Sequence, residues 1–110
     1  MSFDSKKFLE INPPDCVAGI IKMAMSADPH PTPVETLCTF AQFHTVGTGN
    51  QEASEALYKA SLFILDQCGP EVAALQRNIR KDYSNLLREM GRDDEALAMW
   101  PNPDDPAKLN

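Results

Sequence analysis

Few side chains in this sequence have the types and spacing that bind metal ions. Thiols and imidazoles bind zinc, and together with thioethers they bind copper(I). The chain offers three cysteines, two histidines and one closely spaced methionine pair: Cys16, Cys38, Cys68, His30, His44, Met23 and Met25. No two cysteines or histidines have zinc-site spacing, and methionines two residues apart on a helix point in different directions. We therefore expect no metal site and no cofactor.

The sequence also lacks a complete motif for catalysis or for phosphate binding. The segment Gly47-Thr48-Gly49-Asn50 precedes a predicted helix, where backbone amides could hold an anion. No Lys-Ser or Lys-Thr pair follows it and no predicted strand precedes it, which excludes a P-loop and favours a turn between helices. Two histidines and scattered serines form no nucleophile–base motif. We expect that the protein is not an enzyme.

One predicted helix carries half of the basic residues of the chain on one side. Five of the ten lysines and arginines lie within about a third of its circumference: Arg77, Arg80, Lys81, Arg88 and Arg92. The flank of this basic face is acidic, with Glu71, Asp82, Glu89 and Asp93. The face could be ordinary solvated surface. It could instead bind an acidic peptide or a terminal carboxylate through charge-assisted hydrogen bonds.

Charge and hydropathy narrow the classes of partner. The formal net charge is −6 over 110 residues, which argues against duplex nucleic acid and anionic membranes, because both bind basic surfaces. The longest strongly apolar run, residues 61–65, is far shorter than the ~20 residues of a membrane span. Residues 1–10 lack the apolar core of a signal peptide, and an odd number of cysteines fits reduced thiols. We expect a cytoplasmic protein that binds neither nucleic acid nor membrane.

Prolines, glycines and capping residues divide the chain into about five helices. The predicted divisions of one domain over residues 1–110 are an N-terminal arm (1–12), a first helix (13–27), a first helix pair (32–67), a second helix pair (70–100) and a flexible tail (101–110). Thr32 and Glu35 match a capping box, and Asn50 can cap the helix that follows. Gly91 is placed to close the fourth helix, and Asp93 to cap the fifth.

Apolar residues recur at steps of three and four within the predicted helices, and no segment of useful length alternates with a period of two. The expected core positions of the first three helices are Val17, Ile20, Ile21, Ala24, Val34, Leu37, Cys38, Ala41, Ala53, Leu57, Ala60, Ile64 and Leu65. The clearest stripe belongs to the fourth helix, with Val72, Leu75, Ile79, Tyr83, Leu86 and Met90. The predicted fold class is therefore all-α.

Two parts of the chain match each other at an offset of 42 residues. The matched pairs are Gly49 with Gly91, Ser54 with Ala96, Tyr58 with Trp100, Leu37 with Ile79, and Ala41 with Tyr83. Each unit has a helix, a glycine turn, and a second helix with a small residue followed four residues later by an aromatic. The small residue allows two antiparallel helices to approach closely, and the aromatic fills the space beside them. A fixed period of this kind indicates stacked helix pairs.

The second unit resembles the turn of a tetratricopeptide repeat over residues 86–100, LLREMGRDDEALAMW. The long period resembles the kinesin-light-chain type of that family, in which a loop containing Gly-Pro introduces each next repeat, as Cys68-Gly69-Pro70 does here. The resemblance covers about residues 32–100. It implies antiparallel helix pairs in a right-handed superhelical stack, whose concave groove binds peptides or helices, and it implies binding rather than catalysis.

The resemblance also suggests a binding site on the fourth helix. Lys81 and Asn85, one turn apart, resemble the Lys-and-Asn pair with which chaperone-binding tetratricopeptide domains hold a C-terminal carboxylate. The candidate partner-binding residues are Arg77, Lys81, Asn85, Arg88 and Trp100. Two repeats fall below the ~3 units of a stable stack. We therefore expect self-association, or packing on a partner, to cover an exposed end near Trp100.

These observations support three hypotheses for function. The first is an adaptor or scaffold that binds a peptide or helix of a partner protein, with an acidic segment suited to the basic face. The alternative is a small accessory or regulatory subunit of an enzyme complex, which could sense a ligand. The third is a metal-handling or catalytic helical bundle.

Overall fold

The computed structural model describes residues 4–100, and this part of the chain forms helices and turns without a strand. The six α-helices are α1 (Ser5–Ile11), α2 (Asp15–Ser26), α3 (Pro31–Phe43), α4 (Gln51–Leu65), α5 (Ala73–Glu89) and α6 (Asp93–Met99). A π-helical turn, His44–Thr48, extends α3, and a 3-10 turn, Pro70–Val72, leads into α5. The predicted all-α fold is confirmed, with one helix more than expected. The predicted tail over 101–110 lies outside the described residues.

The additional helix is α1, within the segment assigned to an N-terminal arm. The Asp4 carboxylate caps it by accepting a hydrogen bond from the Lys7 backbone amide at 2.9 Å. Asn12 ends it in the left-handed conformation, with φ 49°. Ile11 is buried and Phe8 packs half-buried against the core. These two apolar residues hold the short helix against the rest of the molecule.

The start of α3 differs from the predicted capping box. The helix begins at Pro31, so Thr32 lies inside the helix instead of capping it. Proline suits the first helical position because it has no amide hydrogen to leave unpaired and its φ angle is already helical. His30 takes the cap position, where its ring nitrogen Nδ1 accepts from the Thr32 amide at 3.1 Å. The capping box is therefore wrong, because the cap lies at His30, two residues before Thr32.

The two predicted caps of the later helices have different outcomes. Asn50 caps α4 as predicted, because its side-chain oxygen accepts from the Ala53 amide at 3.1 Å. Asp93 is the first residue of α6 and not its cap, since Arg92 occupies the cap position. A carboxylate in the first turn still interacts favourably with the positive end of the helix.

The core is arranged around α4, which contacts α1, α2, α3 and α5. Its buried residues are Ala53, Ser54, Ala56, Leu57, Tyr58, Ala60, Ser61, Ile64 and Leu65. Most of the positions expected in the core are buried, and the half-buried ones at its edge are Ile20, Ala24, Cys38, Leu75 and Met90. The small side chains on several sides of α4 allow four other helices to reach it.

The 42-residue offset of the sequence is also found in the helix starts. The first residues of α3 and α5, Pro31 and Ala73, are 42 residues apart, and so are the first residues of α4 and α6, Gln51 and Asp93. Helix α3 packs along α4, and α5 packs along α6. The glycines between the paired helices both have positive φ, 69° at Gly49 and 78° at Gly91.

A serine hydroxyl joins the two helices of each pair. The Ser54 hydroxyl of α4 donates to the Ala41 carbonyl of α3 at 2.7 Å. In the second pair the Ser84 hydroxyl of α5 donates to the Ala96 carbonyl of α6 at 2.6 Å. Ser54 and Ala96 are 0% and 1% exposed. The small residues of the sequence pattern therefore lie buried where the two helices of each pair are hydrogen-bonded to each other.

The two left-handed glycines provide a test of these turns. A Cβ atom at Gly49, Gly91 or the exposed helical Gly19 would meet nothing within 4 Å, so backbone conformation alone decides each outcome. We expect Gly49→Ala and Gly91→Ala each to lower the free energy of unfolding by about 1–2 kcal/mol. Gly19→Ala should raise it by about 0.5–1 kcal/mol. Urea denaturation measures all three, and equal effects at Gly19 and Gly91 would contradict the assigned turn.

Candidate functional site

The predicted partner-binding residues lie on the exposed side of α5 and beside the end of α6. Lys81 is half-buried, and Asn85, one turn later, is exposed. Arg88 is exposed and its Cζ atom lies 5.9 Å from the centroid of the Trp100 ring, which is a cation–π distance. Arg77 is half-buried, and its Nε atom has no hydrogen-bond partner in the described part of the chain. The structure therefore brings Arg88 and Trp100 together and places Lys81 and Asn85 on adjacent turns.

The basic face is smaller than the sequence predicted. Nε of Arg80 donates to the Met99 carbonyl at 3.1 Å. Arg92 donates to Glu55 at 2.8 Å and to Glu95 at 2.6 Å. The Arg80 guanidinium joins α5 to α6, and the Arg92 guanidinium joins the start of α6 to α4, so both are engaged in contacts within the molecule. Only three of the five basic side chains remain for a partner, and they are Arg77, Lys81 and Arg88.

A half-buried carboxylate connects α4 to the second helix pair. The Glu55 side chain is 13% exposed and accepts hydrogen bonds from the Tyr83 hydroxyl at 2.6 Å and from Arg92 at 2.8 Å. Burial raises the pKa of Glu55, but the hydrogen bonds from Arg92 and Tyr83, together with Lys59, outweigh it and hold the pKa below its ordinary value. A carboxylate kept ionised in this way is a poor general base. The network is therefore a structural connection.

A second feature, which we call the α3–α5 cleft, was not anticipated from the sequence. It is an open cleft of ≈ 140 Å³ lined by Gln42, Thr45, Val46, Tyr58, Asp82, Asn85, Leu86 and Glu89. Burial raises the pKa of Asp82. Sequence reasoning assigned Asp82 and Glu89 only to the flank of the basic face. Their spacing of seven residues, which places both on one side of a helix, was the available signal.

Exposed apolar side chains continue from the cleft along α3 and its π-helical extension. Phe40, Phe43 and Val46 are 40%, 57% and 87% exposed. Successive members are three residues apart, so they are neighbours on the helix surface, and Val46 also lines the cleft. We call these three residues the apolar patch. The other large exposed apolar residues in the described region lie singly on α1, α2 and α6, and they are Leu9, Met23 and Leu97.

Other kinds of site find no support within residues 4–100. No group of three or more His, Cys, Asp or Glu side chains is placed to hold a metal ion there. The three cysteines are free, with Cys16 exposed and the other two half-buried. None of the described helices is long and apolar enough to cross a membrane.

The two stacked tyrosines give a matched test of the Glu55 network. Their rings lie 5.8 Å apart at 22°, but only Tyr83 hydrogen-bonds to Glu55. We expect Tyr83→Phe to lower the free energy of unfolding by about 1.5–3 kcal/mol, the range for a hydrogen bond to a charged group. Tyr58→Phe should change it by less than about 0.5 kcal/mol. Thermal and urea denaturation of both variants measure this difference. Equal losses would show that the hydrogen bond between Tyr83 and Glu55 does not contribute to the free energy of unfolding.

The lowered pKa of Glu55 predicts how stability depends on pH. A carboxyl group whose pKa is lower in the folded state contributes stability above its ordinary value, 4.5 here, and loses it as the pH falls toward the folded-state value. We therefore expect Glu55→Gln to be less stable than the wild type at pH 7 and to converge with it below pH 4.5. The control is Glu52→Gln, an exposed change on the same helix. A stability difference for Glu55→Gln that does not vary with pH would contradict the prediction.

The geometry thus offers three features to a partner: the apolar patch, the α3–α5 cleft, and the contact between Arg88 and Trp100. Comparison of the chain with protein-family models, with curated proteins and with solved structures finds no match.

Proposed function

We propose that the protein is an interaction module that binds a peptide or helix of a partner protein along the exposed sides of α3 and α5. The observation that carries this proposal is the apolar patch. Phe40, Phe43 and Val46 are exposed on neighbouring positions of one helix, and contiguous apolar surface rimmed by polar residues is typical of a protein-binding site. The Glu55 network, by contrast, connects side chains to one another and offers no reactive group.

The repeated helix pairs support a tetratricopeptide-like arrangement of this surface. Helices α3 and α5 begin 42 residues apart and each packs along its own partner helix. In a stack of such pairs, the first helices of successive pairs form one continuous binding surface. A partner segment that crosses from α3 to α5 would meet the apolar patch first and Asn85 and Lys81 next. Arg88 and Trp100 would lie at the far edge, and Arg77 lies about three turns before Arg88 on α5.

The proposed location is the cytoplasm, and the proposed partner is a protein. Three unpaired cysteines support a reducing compartment. A net charge of −6 is unfavourable for binding nucleic acid or anionic lipid. The other candidate occupant of the surface is a second copy of the chain. The following experiment distinguishes a second copy from a different protein.

Affinity purification of the tagged full-length chain from its host, with quantitative mass spectrometry, tests the proposal. The test variant is Phe43→Ser with Val46→Ser, and the control is Met23→Ser with Leu97→Ser, which removes two equally exposed apolar side chains from other helices. We expect a partner to bind the wild type and the control but to lose about tenfold or more in affinity for the test variant, because aromatic anchors at interfaces contribute about 2 kcal/mol or more.

Two further measurements complete the experiment. Circular dichroism must show the same helix content and a similar melting temperature for both variants, so that unfolding does not explain the loss. Light scattering of the purified chain reports whether a second copy is the partner. Partners that bind all three proteins equally would contradict the proposed surface.

A further inference from the structure

We propose that the α3–α5 cleft binds the cationic end of a lysine or arginine side chain from the partner segment, while apolar neighbours of that side chain cover Phe43 and Val46. This inference rests on the proposed function and specifies the chemistry of the partner. It assigns the partner a basic, amphipathic segment in place of the acidic segment that the basic face of α5 suggested.

The cleft carries negative charge. Asp82 and Glu89 line it from the same side of α5, about 10 Å apart along the helix axis. Neither forms an ion pair within residues 4–100, and the lining contains no lysine, arginine or histidine. Burial raises the pKa of Asp82, with no cation to offset it. A positive charge from a partner would supply the missing counter-charge.

Tyr58 provides a hydrogen-bonding group in the cleft. Its side chain lines the cleft and is 4% exposed, yet its hydroxyl makes no hydrogen bond to another described residue. The Tyr58 hydroxyl is not one of the fully enclosed polar atoms that lack a partner, so it is open to the cleft. Burial raises the pKa of Tyr58, and the nearby carboxylates of Asp82 and Glu89 raise it further. A neutral phenol oxygen beside two carboxylates is an acceptor site for the N–H groups of a guanidinium or ammonium group.

The dimensions of the cleft suit a single side chain. Its volume of ≈ 140 Å³ lies below the roughly 300–1,000 Å³ of pockets that enclose drug-sized ligands. One side chain fits a cleft of this size. Lysine and arginine also have apolar stems, and the lining provides Val46 and Leu86 as apolar contacts for such a stem. The charged end can then reach the carboxylates while the stem stays against the wall.

The basic residues of α5 do not compete for the same position. Lys81 and Arg88 each precede a cleft carboxylate, Asp82 and Glu89, by one residue, so they lie about 100° away around the helix. The acidic side of α5 therefore faces α3, and neither Lys81 nor Arg88 lines the cleft. A segment that follows the apolar patch into the cleft therefore meets negative charge.

Selection of random twelve-residue peptides on the immobilised full-length chain tests the inference without knowledge of the natural partner. We expect the enriched peptides to contain lysine or arginine flanked by apolar residues. Replacing that lysine by norleucine, or that arginine by citrulline, should weaken binding at least tenfold in calorimetry. The variant Asp82→Asn with Glu89→Gln should weaken binding to the same extent, and Tyr58→Phe should weaken it less.

The matched control is Glu71→Gln with Asp94→Asn, which removes the same charge from exposed positions outside the cleft and should leave affinity within twofold. Enriched acidic peptides that lose binding with Lys81→Glu and Arg88→Glu would overturn the inference while the proposed interaction function stands. Basic peptides that bind the cleft variant and the control equally would also overturn it. A selection that enriches no peptide would overturn the proposed function as well.

Discussion

The small side chains of α4 are the constraint on which the rest of the structure depends. Alanine and serine occupy five of its buried positions, and these are Ala53, Ser54, Ala56, Ala60 and Ser61. Larger residues there would hold the neighbouring helices apart, and four helices could not reach α4 together. Both buried serine hydroxyls have an acceptor, because Ser54 donates to a carbonyl of α3 and Ser61 to the Leu57 carbonyl of its own helix. The polar atoms therefore do not weaken this close packing.

The same central helix decides which charged residues remain available at the surface. Glu55 extends from α4 to Tyr83 and Arg92, and Arg92 is thereby joined to α4. Arg80 and Arg92 are engaged in contacts within the molecule. Asp82 and Glu89, in contrast, form no ion pair with another described residue. The contacts that stabilise the fold therefore engage these arginines and leave the two cleft carboxylates without a counter-charge among residues 4–100.

Local patterns in the sequence predicted local structure well. Ile79, Tyr83 and Leu86 are buried as their helical period indicated, and Gly91 has the positive φ that a helix-closing glycine needs. Helix α1 was missed because its two core residues, Phe8 and Ile11, are too few to establish a period. The cleft was missed for a different reason. It depends on side chains from three helices, and no pattern within one helix specifies how closely another will approach.

The two helix pairs present different chemistry at positions 42 residues apart. At the offset of 42 residues, the apolar patch corresponds to polar and charged residues of α5: Phe40 to Asp82, Phe43 to Asn85, and Val46 to Arg88. One surface is therefore apolar on α3 and charged on α5. A segment that crosses both helices can bury apolar side chains at one end only if its other end carries polar or charged groups. The partner segment that we propose should therefore be amphipathic, because a uniformly apolar or uniformly charged segment would leave half of the surface without complementary contacts.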